Sequence, residues 1–65
     1  MKPGDRVCAT ESIPSSFGRV TAGSCGDVVV FLGSHPKLGA VYDVVFDSGE
    51  RIAVYDYEIE LVSND

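Results

Sequence analysis

Thiols, one imidazole and a few clustered carboxylates are the groups in this chain that could do chemistry. Cys8, Cys25 and His35 are the candidate metal ligands. A structural zinc site takes four ligands, usually in closely spaced pairs. These three stand singly, so no metal is expected. Redox catalysis needs a thiol whose pKa is lowered by a nearby cation or a helix start. Arg6 is the one cation close to Cys8, and strand alternation places both on the same side. Ser12, Ser15, Ser16 and Ser24 sit in turn-rich stretches where serine usually shapes the backbone. His35 precedes Pro36 in a predicted loop. Asp56, Glu58 and Glu60 alternate with Ile59 and Leu61, as the wet side of an element would. No catalytic residue and no cofactor are expected from these groups.

The elements that must position them are short. Gly4, Gly18, Gly23, Gly26, Gly33, Gly39 and Gly49 divide the 65 residues into runs rich in Val, Ile, Phe and Tyr, which suit a pleated, half-buried surface. The predicted strands are residues 5–10, 27–32, 40–47, 51–56 and 61–62. Asp47-Ser48-Gly49-Glu50 reads as a hairpin turn, and residues 57–59 as one 3-10 turn. Residues 11–23 form a long polar connection that Ile13, Phe17 and Val20 could pin down. The predicted fold is a single all-β domain over residues 1–65: a five-stranded barrel with a long first loop and a 3-10 turn before the last strand. A domain of this size exposes a large share of its surface and is marginally stable. Such scaffolds often gain stability by association, a metal or a disulfide.

Two stretches carry a family resemblance. Lys2-Pro3-Gly4-Asp5-Arg6-Val7 with Ala22-Gly23-Ser24-Cys25-Gly26-Asp27-Val28-Val29 resembles the opening of small SH3-like barrels, KOW-type ribosomal and transcription modules among them. Tyr42-Asp43-Val44-Val45-Phe46-Asp47-Ser48-Gly49 with Glu58-Ile59-Glu60-Leu61-Val62 resembles their second half. The opening through Glu11-Ser12 is also similar to the variable chain of ferredoxin–thioredoxin reductase. The resemblance implies an SH3-like barrel and a bacterial accessory module. It implies a fold more than a role, because one barrel hosts many functions. A plasmid-encoded type of dihydrofolate reductase, a barrel with its site at a tetramer pore, carries Val-Gln-Ile-Tyr on the pore strand. Ile52-Ala53-Val54-Tyr55 is similar in its tyrosine and lacks the glutamine. This implies an alternative: a homo-oligomer with a small-ligand or active site at its interface. The KOW resemblance implies another, an RNA- or ribosome-associated module.

Charge weighs against that last reading. Ten acidic residues face five basic ones, for a net charge of −5. Lys2, Arg6, Arg19, Lys37 and Arg51 are scattered, whereas phosphate binding needs clustered cations. No apolar run is long enough to cross a membrane. No apolar leader follows Met1-Lys2-Pro3-Gly4-Asp5-Arg6, so the cytoplasm is the expected location. The cytoplasm keeps thiols reduced. A Cys8–Cys25 bridge is open to neighbouring strands, but two free thiols are expected.

The face turned away from the core is unusually apolar. If Val28, Val30 and Leu32 point inward, Val29 and Phe31 point out. With Tyr42, Val44 and Phe46 inward on the next strand and Ile52 and Val54 on the one after, the outer set is Val29, Phe31, Val41, Val45, Ala53 and Tyr55. A wetted antiparallel sheet should carry polar residues there, and contiguous apolar patches mark interfaces. These six residues are the candidate interface, for a protein partner or for self-association. A proline-peptide groove is not expected, because the chain has no Trp and its long loop offers only Phe17.

Overall fold

The computed structural model describes residues 1–15 and 18–62. The chain is all-β, with strands β1 (Arg6–Ala9), β2 (Ile13–Ser15), β3 (Gly18–Val20), β4 (Cys25–His35), β5 (Gly39–Phe46) and β6 (Arg51–Tyr55). A 3-10 turn (Asp56–Glu58) then leads into β7 (Ile59–Leu61). Five strands form one antiparallel sheet in the order β6-β5-β4-β1-β7, and β2 and β3 form a separate hairpin. Among the described residues the two outer strands, β6 and β7, do not pair with each other, so the sheet is an open ladder. No helix of the described residues is long and apolar enough to cross a membrane.

Alternation places the core as expected on three strands. Val7 and Ala9 of β1, Tyr42, Val44 and Phe46 of β5, and Val54 of β6 are buried on one face, with Val28 and Ile59. Ile52 packs against them from the margin. The turn after β5 is the predicted hairpin: Phe46 N–H donates to Glu50 C=O and Gly49 N–H to Phe46 C=O, both at 2.8 Å. Gly49 has φ +96°, which a side chain would resist.

The connection between β1 and β4 is more ordered than its polar composition suggests. Ile13 pairs with Val20 and Pro14 with Arg19 across the β2–β3 hairpin. Ile13 and Val20 are both buried in the main core. Ile13 and Val20 therefore close the core from the hairpin. Phe17 lies outside the described residues.

β4 departs from simple alternation. Its register against β5 shifts between Val28 and Val30 and again between Phe31 and Gly33. Each extra residue in a bulge turns the following side chains to the opposite face. Val30 now pairs with Asp43, and Phe31 with Tyr42. The expectation that Val30 and Leu32 point inward and Phe31 outward is thus corrected. Val30 shares the outer face with Asp43, and Phe31 lies on the core side, its ring 5.6 Å from Tyr42. The second bulge restores the original parity, so Gly33 pairs with Val41 and His35 with Gly39 on the outer face.

Candidate binding face

The outer sheet surface divides into a charged, bridged half and an aromatic, grooved half. In the first, Cys8 lies directly opposite Cys25 and Arg6 opposite Asp27. The two cysteines form a disulfide, which corrects the expectation of free thiols. Facing side chains on adjacent antiparallel strands have their Cβ atoms close enough to bridge. The bridged sulfurs have no thiolate to offer, so the pairing of Arg6 with Cys8 does not make a nucleophile.

Arg6 instead grips carboxylates. It donates from Nη1 to Asp47 Oδ1 at 2.9 Å and from Nη2 to Asp47 Oδ2, with a longer contact of 3.4 Å to Asp27. The hydrogen bond from Arg6 holds the Asp47 carboxyl below its ordinary value of 3.8. A carboxyl with a depressed folded-state pKa adds stability above its unfolded pKa and loses it as pH falls through the folded one. Asp47→Asn should therefore be slightly less stable at neutral pH. It should also lose less melting temperature than the wild type on acidification below 3.8. Melting curves of the two proteins across that window check this. The effect should shrink in high salt, since the pair is exposed.

The second half is built by the far ends of β4, β5 and β6. Leu32, Gly33, Ser34, His35, Pro36, Val41 and Tyr55 line an open groove of about 300 Å³. Val41 and Tyr55 are direct cross-strand partners. The His35 ring stands edge-on to Tyr55 at 6.2 Å, and Tyr55 stacks on Tyr57 of the 3-10 turn at 5.7 Å. His35 Nδ1 accepts the N–H groups of Lys37 and Leu38, each at 3.1 Å, and this fixes the tight turn into β5. Desolvation, then the carboxylates of Glu58 and Glu11, raise the Tyr57 pKa, so its hydroxyl stays a neutral donor.

The carboxylates of the last turn have separate tasks. Glu58 Oε1 accepts the Tyr55 N–H at 2.8 Å and caps the 3-10 turn. The Asp56 carboxylate lies over Gly39: a Cβ there would sit 2.9 Å from Asp56 Oδ1. Because Gly39 faces outward beside His35, this carboxylate stands at the rim of the groove. On β5, Asp43 is tied to Arg51 through Nε at 2.6 Å. Among the described residues no three His, Cys, Asp or Glu side chains gather as a metal site.

The six residues expected at an interface are not all on one surface. Val41, Val45, Ala53 and Tyr55 share the outer face, in register across β5 and β6. Val29 sits at the first bulge, 38% exposed, and Phe31 lies on the core side yet is 50% exposed. Val30 and Leu32, expected in the core, are 39% and 53% exposed. His35, expected in a loop, reaches Tyr55 through the pairing of β4 with β5 and of β5 with β6, and Asp56 and Tyr57 join from the 3-10 turn that follows it. No known protein family, curated protein or solved structure matches the chain.

Proposed function

We propose that this chain is an SH3-like barrel serving as a non-enzymatic protein-interaction module, which docks a partner on the outer face of β4, β5 and β6. Support for the fold comes from the strand order β6-β5-β4-β1-β7, the hairpin inserted between β1 and β4, and the 3-10 turn before β7. This is the order of a barrel whose long bent strand serves two half-sheets. The observation that carries the function is the segment Val29-Val30-Phe31-Leu32. Four consecutive large apolar side chains are each more than a third exposed; Val30 is on the outer face and Leu32 lines the groove, while Phe31 is turned to the core side. Exposed apolar surface of this kind is uncommon in a lone soluble domain and common at protein contacts.

Capture from an extract of the native host tests this reading with three baits. Proteins retained by the wild type should be lost with Val41→Asp and kept with Val62→Asp, an exposed apolar position outside the groove. A partner set unchanged by Val41→Asp, in a variant that still melts cooperatively, contradicts it.

A further inference from the structure

Among the described residues β6 is an unpaired outer strand of the sheet. In an antiparallel ladder, alternate residues send their N–H and C=O groups to opposite sides of the strand. Phe46 bonds to Glu50 across the hairpin. The bonded pairs that follow are therefore Val44 with Ile52 and Tyr42 with Val54. The backbone groups of Arg51, Ala53 and Tyr55 then point away from the sheet. Glu58 takes the N–H of Tyr55. Among the described residues nothing takes those of Arg51 and Ala53. Natural edges are usually blunted by proline, charged side chains, a bulge or a covering loop; β6 has one charged residue, Arg51, held by Asp43, and no proline or bulge.

The same residues that expose the edge face the groove side. Arg51, Ala53 and Tyr55 share the outer surface with Val41, Asp43 and Val45. Ala53 is small and exposed. A strand added along β6 would place one side chain beside Ala53, where there is room for a bulky group. The side chain two positions along would lie beside Tyr55. There a long side chain would run along the Tyr55 ring, which packs on His35 and Tyr57, and reach across it toward the Asp56 carboxylate, which lies over Gly39 on the β5 side. From Val41 onward the chain has one basic residue, Arg51, already paired with Asp43. An acidic rim beside aromatic rings favours a cation.

Resting on the proposed interaction role, we infer that the β6 edge takes an extended segment of a partner protein by strand addition, with Arg or Lys beside Tyr55 and Asp56 and a large apolar residue next but one, beside Ala53.

Two capped synthetic peptides test it, each with alternating threonines. One carries Arg and Val with one residue between them; the other has Glu in place of Arg. Binding is followed by amide shifts of the nitrogen-labelled protein. The Arg peptide should shift the amides of Arg51 and Ala53 and slow their hydrogen exchange, and the Glu peptide should bind at least about tenfold more weakly. Ala53→Pro removes an outward N–H that the fold does not use, and should weaken the Arg peptide by about tenfold. Asp56→Asn, on an exposed turn, should weaken the Arg peptide and leave the Glu peptide no worse; this variant decides the matter should Ala53→Pro misfold.

Equal binding of both peptides, or of neither, overturns the assigned partner chemistry. It leaves the interaction role standing if Val41→Asp still sheds host proteins. An Arg peptide that binds Ala53→Pro undiminished overturns strand addition alone. A molar mass by light scattering that doubles with concentration, and does not in Ala53→Pro, gives the edge to a second copy and overturns the inference.

Discussion

Gly26→Ala should abolish most of the fold's stability. Gly26 is buried between two strands, pairing with Val7 of β1 and with Phe46 of β5. A Cβ at this position would fall 2.4 Å from the Val45 carbonyl oxygen and 2.6 Å from the Phe46 Cα. Both are backbone atoms, so no side chain can rotate away, and relief requires β4 and β5 to separate where Val7, Val44 and Phe46 are packed. Overpacking a core costs ~1–3 kcal/mol when side chains can adjust and more when they cannot. A domain of this size has roughly 3–10 kcal/mol in total. The expected unfolding free energy, read from the shift of the urea midpoint, is lower by about 3 kcal/mol or more. Gly33→Ala is a poor control because its φ is +144°. Ala53→Ser, exposed on β6, is a better one and should leave the midpoint near the wild-type value. A Gly26→Ala protein with an unchanged midpoint would mean that the strands approach less closely than described.

Reducing the Cys8–Cys25 bridge should be the second largest loss. The bridge closes a loop with a sequence separation of 17 that contains the whole β2–β3 hairpin. Cross-linking a loop of that length removes unfolded-state entropy worth about 3 kcal/mol. The β1–β4 ladder it joins has three register pairs, extended at both ends by backbone hydrogen bonds of Gly4 and Asp5 with Val28 and of Ala9 with Ser24 and Gly23. Urea unfolding with and without a thiol reductant measures the difference, and Cys8→Ser/Cys25→Ser should reproduce the reduced value. The slope of stability against urea should steepen on reduction, because the freed unfolded chain exposes more surface. Identical curves would mean that the bridge adds nothing. In a reducing cytoplasm the protein would populate this weaker form.

Much of the frame was legible from residue order because its signals were local. Glycines and the Asp47–Glu50 turn placed the hairpins. Arg6–Ala9 sets Arg6 and Cys8 against Val7 and Ala9, and in Val41–Phe46 the parity with Tyr42, Val44 and Phe46 is the bulkier and leaves Asp43 outside, so one parity is favoured for burial. Val28 to Leu32 has no such contrast. All five side chains are apolar, and both parities look alike, so nothing in their types reveals where the bulges fall. The β2–β3 hairpin was hidden by Pro14 and the serines around it, which read as a loop. A two-residue apolar anchor, Ile13 and Val20, suffices to bury it, and a short edge strand tolerates proline. The bridge was judged from compartment, while its geometry followed from Cys8 and Cys25 falling opposite each other. The groove was least legible: the pairing of β4 with β5 is what brings His35, expected in a loop, to Val41 and Tyr55.

Photo-crosslinking in living host cells tests the interaction face most directly. A benzophenone amino acid placed at Val41 or at Leu32 would sit at the groove, and one placed at Glu60 would sit on exposed β7, away from it. Discrete adducts of defined mass are expected from Val41 and Leu32 and none from Glu60. Adducts from Glu60 alone, or the same adducts from all three positions, would contradict the interaction face.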